Sequence, residues 1–270
     1  MLFPKFERVK FEKCPLVEVV CQIRFPAILS IDSNEPAKFQ DAIRELYPVF
    51  EETIEQQQQF TFENPAPGLL IQPTIKSNTS KNYKFTSVDG TSWINLTRNF
   101  ISLTTNKYSR WEEFCEQLVL PFRALNDIYK PAFFERIGLR YIDVFCRTGL
   151  GLSGWKWSDL FQLQALGLLA CEDELSNSVM SYNMINEVLL EDAKSILRLN
   201  TSLVVQQGMI FQDKETEKCL MIDGDYFTTE RFSIYDEVIE KLDFLHERST
   251  RLIRWLIKPR LYNALEPKEL

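Results

Sequence analysis

Three stretches hold residue types that could do chemistry. The first is "GLGLSG", with Gly149, Gly151 and Gly154 in G-x-G-x-x-G spacing. After a strand, such glycines let backbone amides approach a pyrophosphate at a helix N-terminus. Here the preceding strand carries four charges, unlike one buried on both faces of a parallel sheet. Trp155 and Trp157 would fall in the first turn of the required helix, Ser158 makes the better cap, and no βαβ series follows. A glycine-rich turn is expected, and no cofactor. The second stretch is "MIDGDYF", where Asp223 and Asp225 offer hard oxygen ligands of the kind that bind divalent ions. Further carboxylates would be needed, so a solvated strand end is expected and no metal is assigned. The third is His246, the only histidine, through which any Ser/His, Cys/His or His-metal mechanism must run. It stands at the border of the apolar stripe Leu242, Leu245, Leu252 and Ile253, so no catalytic residue is assigned.

The cysteines, at 14, 21, 115, 146, 171 and 219, show no CxxC spacing, and one histidine cannot complete a Cys/His set. Reduced thiols in a cytoplasmic protein are the expectation. The first residues, "MLFPKFERVKFEKCP", are charged throughout, and no long charge-free apolar run offers a membrane span. A net charge of −7 opposes a surface that attracts nucleic acid as a whole. Local basic patches remain. The last helix has acids early (Asp236, Glu237, Glu240, Asp243, Glu247) and bases late (Arg248, Arg251, Arg254, Lys258, Arg260). That polarity suits the helix dipole, and its basic end is also the best local anion-binding candidate.

The elements that position these groups follow from periodicity. "LVEVVCQIRF" alternates as a half-buried strand over 16–25. A helix follows Pro36, Pro48 ends or kinks it, and "VFEETIEQQQQ" resumes helically. Short strands are expected near 59–63, 69–76, 82–88, 92–97 and 100–105. A helix over 109–129 should kink or break near Pro121. "FFERIGLRYIDVF" (133–145) is the next strand, with Arg136 and Arg140 on its polar side. Glu135 and Asp143 fall on its apolar side and should lie near solvent at the strand ends. A short helix within 147–170, strands near 178–189, 195–207 and 218–228, and a helix from Ile234 complete the chain.

The second half repeats the order of the first. "TNKYSRWEEF" (105–114) matches "TERFSIYDEV" (229–238) as Thr, any, basic, aromatic, Ser, any, aromatic, acid, Glu, apolar. Ser109 and Ser233 each precede an acid by three residues, the capping-box arrangement. The fold class expected is α+β: an internally duplicated antiparallel sheet with long helices packed on it, its halves 1–132 and 133–270 related by a pseudo-twofold. The polar rows of the strands at 16–25 and 133–145 then share one face, where Glu18 and Arg140 could pair.

"PLVEVVCQIRFP", "RIGLRYID" and "DGDYF" with the helix after it resemble a sporadically distributed, functionally uncharacterised bacterial family of similar length. The resemblance supplies no catalytic residues. Its scattered occurrence implies a setting in mobile elements or antiviral defence.

With no catalytic constellation left, the expectation is a non-enzymatic protein whose sheet-and-helix platform recognises a protein partner. Arg24, Arg136 and Arg140 on an uncovered sheet face, and the bases from Arg248 to Arg260, are its candidate contacts. Two other readings stay open: a ligand-binding protein or enzyme with a pocket between helices and sheet, and nucleic-acid binding through the basic patches.

Overall fold

The computed structural model describes residues 2–61, 74–171, 178–206 and 217–269. The chain is α+β, built on one antiparallel sheet of nine strands. The strands are β2 (Leu16–Arg24), β3 (Val49–Thr61), β4 (Thr74–Thr86), β5 (Ser92–Thr97), β6 (Phe100–Thr105), β7 (Arg136–Phe145), β8 (Asn183–Leu189), β9 (Ser195–Gln206) and β10 (Glu217–Thr228). Across the sheet they run β3-β4-β5-β6-β2-β7-β10-β9-β8. The three stretches that carry the family resemblance are therefore neighbours at its centre. A second, small sheet pairs β1 (Val9–Phe11) with β11 (Pro267–Glu269).

Alternation decides which side of the sheet is covered. Val19, Cys21 and Ile23 of β2, Ile137, Leu139 and Tyr141 of β7, and Ile222 and Tyr226 of β10 point to one side and are buried. Onto that side pack α3 (Trp111–Tyr129), against β6, and α5 (Tyr235–Leu256), against β7 and β10. Phe114, Leu118, Phe122 and Leu125 of α3, with Val238, Leu242, Leu245 and Leu256 of α5, complete the core. Four shorter helices flank them among the described residues: α1 (Leu29–Ser33), α2 (Ala37–Ile43), α4 (Trp157–Leu160) and α6 (Pro259–Ala264).

The other side of the central strands is polar and ion-paired. Arg140 donates Nε and Nη2 to the two carboxylate oxygens of Asp223, both at 2.7 Å. Arg136 reaches Asp225 at 2.8 Å and Gln22 at 3.1 Å. Gly138 makes room for this: a Cβ there would stand 2.5 Å from Nη1 of Arg136. The expected Glu18–Arg140 pair is replaced, because register sets Glu18 opposite Ile142 while Asp223 presents both oxygens to the guanidinium. Asp223 and Asp225 lie within β10, Asp223 buried, and are not a solvated strand end.

Several local expectations are corrected. Residues 49–59, expected as helix, form strand, since pairing along the whole of β4, with Glu51–Lys84 and Glu52–Lys81 bridges, overrides their helical pattern. The strand expected over 69–76 lies mostly outside the described residues. Helix α3 runs unbroken through Pro121. Proline removes the N–H that would bond the Gln117 carbonyl, and the buried Tyr47 hydroxyl donates to that carbonyl instead, at 3.4 Å. Ser109 and Ser233 are not caps. Each stands one residue before the N-cap, Arg110 or Ile234, and neither N-cap makes a side-chain capping bond. The glycine-rich stretch is a turn, with Gly151 at φ +70°, followed by a helix of only four residues. Its N-cap is Lys156, whose N–H donates to Asp159, rather than Ser158. Two cysteines are not free thiols: Cys146 and Cys219 form a disulfide.

The Arg140–Asp223 pair yields a coupling test. Arg140→Met leaves Asp223, its side chain only 10% exposed, without its counter-charge, which should cost about 1–2 kcal/mol. Adding Asp223→Asn should recover more than half of that loss in urea unfolding. Two losses that merely add would show the groups to be uncoupled.

Candidate functional site

A cavity of about 560 Å³ lies between α5, the strands β7 and β10, and the chain from Lys5 to Leu16. Its floor is Tyr141, Asp143, Ile222, Gly224 and Tyr226. Gly224 keeps the floor low, since a Cβ there would come within 2.9 Å of the Tyr226 ring. The roof is one face of α5: Asp243, His246, Glu247, Thr250, Arg251 and Arg254, spaced as i, i+3, i+4, i+7, i+8 and i+11. The helix thus has two stripes, leucines into the core and these polar groups into the cavity. The wall is fastened at both ends of the chain. β1 pairs with β11, Lys13 and Glu12 bridge to Glu266 and Lys268, and Phe11 packs edge-on against Tyr262. The β2–β7 register shifts between Leu16 and Glu18, beside Asp143, where the chain turns away to form this wall.

Asp143 is the unusual member. It is 5% exposed and makes no ion pair or side-chain hydrogen bond to another described residue. Burial pushes its carboxyl up from the ordinary 3.8 to about 7. The expectation of a solvated strand end fails here, because Leu16 of β2 and Ile222 of β10 flank Asp143 in register. Glu135, by contrast, precedes the strand and is half-exposed.

His246 shares a 2.8 Å hydrogen bond, through Nδ1, with the Tyr141 hydroxyl. Its ring stacks on Trp111 at 4.5 Å and 7°, and the Trp111 indole N–H donates to Asp243 at 2.6 Å. Burial, seconded by the charge of Arg8, lowers the imidazole from 6.5 to about 4, so it is neutral near pH 7. Tyr108 packs edge-on against Tyr141. Burial holds both phenols well above their ordinary value. Arg251 is 6% exposed and pairs through Nη2 with Glu247, while its Nε and Nη1 are buried without a partner among the described residues.

The residues expected as binding contacts are dispersed. Arg24 lies on the polar sheet face beside Arg136, with Arg140 two alternate positions along, past Gly138. Arg248 is held by Glu191 at 2.9 Å and Glu247 at 2.7 Å, over the Phe244 ring. Lys258 donates to the Ser158 carbonyl at 2.6 Å, and Arg260 covers the Trp155 ring. Only Arg251 and Arg254 line the cavity, Arg254 lying over Tyr262 and Phe6. Tyr108, Trp111, Tyr141, Asp143 and Asp243 went unassigned in the sequence. A carboxylate in the apolar row of a strand was the available sign.

No protein-family model and no curated protein matches the chain.

The two shifted groups give opposite pH dependences. Asp143 is protonated in the fold but ionised in the unfolded chain from pH 3.8 to about 7, so it withdraws stability as pH rises through that window. His246 is neutral in the fold but protonated unfolded from about 4 to 6.5, so its contribution grows as pH rises. Relative to the native chain, Asp143→Asn should therefore gain stability with rising pH, by about 2–4 kcal/mol in total. His246→Gln should lose ground over its own window. Urea unfolding across pH reads both, and curves parallel to the native one would refute the buried assignments.

Proposed function

We propose that this chain is a small-molecule-binding protein whose ligand occupies the cavity beneath α5. One observation carries the reading: a buried carboxyl, Asp143, lines a largely apolar cavity without an ion-pair partner among the described residues, and the Arg251 guanidinium, paired with Glu247, lies in the same wall. Buried polar groups are ordinarily satisfied, and a strongly shifted acid in a cleft is a common mark of a binding or reacting site. The volume lies within the range of small-molecule pockets.

The lining defines the ligand class. Phe6, Phe11, Trp111 and Leu252 suit an apolar body, and the Asp143 carboxyl, a donor when protonated and an acceptor in either state, suits a head that both donates and accepts hydrogen bonds, such as an amide. Near pH 7 Asp143 stands close to its midpoint, so it can give a proton to such a head or take one from it. The sheet-face arginines offer less to a protein partner, since Arg136 and Arg140 already meet carboxylates. Dispersal of the other bases leaves nucleic acid the weakest reading.

We also propose the internal duplication as the origin of this layout. The first strand of each half (β2, β7) lies at the sheet centre, antiparallel to its counterpart. The last strand of each (β6, β10) lies beside it, and the helix after that strand (α3, α5) returns to the same face. Ser109 and Ser233 occupy the same place relative to those helices.

Solvent extraction of purified protein, followed by mass spectrometry, tests the binding reading. The native chain should release an amphipathic compound in near-stoichiometric amount, and Asp143→Asn should retain at least tenfold less. Equal retention by the two, or nothing bound to either, would overturn it.

A further inference from the structure

A second cluster lies at the Phe145/Leu220 end of the β7–β10 ladder, outside the cavity lining. Register pairs Phe145 with Leu220, so Cys146, the next residue, comes opposite Cys219, with their Cα atoms 4.6 Å apart. Glu217, two residues before Cys219, presents its side chain to the same side of β10. The two sulfurs and a carboxylate oxygen of Glu217 all lie within 4.8 Å of one another. Cys219 is buried, while Cys146 and Glu217 are partly exposed, so the cluster has a dry back and an open front. The backbone N–H of Thr148, in the glycine-rich turn, donates to Oε1 of Glu217 at 2.9 Å. That bond ties the carboxylate to the glycine-rich turn. Two cations adjoin the cluster in sequence: Arg147 lies over the Trp157 ring and bonds the Trp155 carbonyl at 2.9 Å while still feeling the charge of Glu217, and Lys218 donates to the Val179 carbonyl at 2.9 Å.

We propose that the reduced protein carries a redox-gated site for zinc or a similar soft divalent ion, with Cys146, Cys219 and Glu217 as ligands. Two thiolates and a carboxylate make a three-ligand set of the type that leaves a fourth, tetrahedral position for water or a substrate atom. Thiolates on one zinc stand about 3.8 Å apart, from a Zn–S length of about 2.3 Å and tetrahedral angles. The N–H to Glu217 is the second-shell bond that orients a ligating carboxylate.

In the structure the two sulfurs are bonded to each other, which excludes the metal. The interconversion balances as thiol–disulfide exchange with a cellular dithiol. One thiolate of the dithiol attacks a protein sulfur, the S–S bond breaks, and a mixed disulfide forms; the second thiol of the reductant resolves it. Two electrons and two protons pass to Cys146 and Cys219, and the reductant leaves as its disulfide. The metal then displaces the two thiol protons. The reverse exchange, in which the disulfide form of the same couple takes two electrons from the two thiolates and leaves as its dithiol, re-forms the protein disulfide and ejects the ion. The spacing of 73 residues between the cysteines hides this site from motif reading.

Cobalt(II) titration of the full chain tests it, since cobalt reports thiolate ligation by a charge-transfer band and tetrahedral geometry by visible d–d bands. Protein reduced with a phosphine, then desalted without air, should develop both bands to one equivalent, and zinc should displace the cobalt. Untreated, disulfide-bonded protein should develop neither; this comparison needs no substitution. Glu217→Gln should keep the thiolate band but weaken binding about tenfold or more. The double variant Cys146→Ser/Cys219→Ser, which retains the other four cysteines, should show no bands. Absence of bands in the reduced native chain, or their persistence in the double variant, would overturn the proposal.

Discussion

The register of β7 is the constraint on which the rest of the structure depends. This strand is hydrogen-bonded on both edges, to β2 and to β10. A slip of one residue would send Ile137, Leu139, Tyr141 and Phe145 to the polar side and bring Arg136 and Arg140 into the core. Each large apolar side chain buried on the correct side contributes about 1.5–3 kcal/mol, so four of them fix the register by a wide margin. Asp143 shares their row. Its burial is a consequence of a choice made by its neighbours, and several kcal/mol of apolar burial hold a carboxyl where water cannot fully solvate it. That local conflict, in an otherwise consistent strand, coincides with the cavity floor, as such conflicts do at working sites.

Much of this architecture is legible in the amino-acid pattern. Clean alternation marks β2, β7 and β10, and the i, i+3, i+4 stripe of leucines marks α5, because in each case one face must be buried. What escapes the pattern depends on partners distant in sequence. Residues 49–59 have the composition of a helix and become a strand because β4 is there to pair with them. Pro121 stays within a continuous helix because Tyr47, far upstream, serves the carbonyl it orphans. Arg140 takes Asp223 from the neighbouring strand instead of Glu18, and Cys146 finds Cys219 only through the β7–β10 ladder.

The candidate site follows the same logic. His246 was visible as the only histidine, and its place at the edge of the leucine stripe was correctly read as a border. Its significance comes from what lies across the border: Tyr141 on the sheet and Trp111 at the start of α3, brought together by packing of two helices on one face. The basic end of α5 divides for a similar reason. Arg248 faces Glu191 and Glu247, Arg260 faces Trp155, and only Arg251 and Arg254 turn toward the cavity. A run of bases along a sequence is therefore a set of separate environments once the helix has turned.

The protonation state of Asp143 joins register, cavity and proposed ligand in one quantity. Carbon-13 labelling of the aspartate carboxyls, with Asp143→Asn to assign the signal, lets its titration be followed by NMR. A midpoint near 7 in the native chain is the predicted result. A midpoint near 4, the value of an ordinary solvated aspartate, would contradict the inward carboxyl, uncompensated among the described residues, on which the proposed binding site rests.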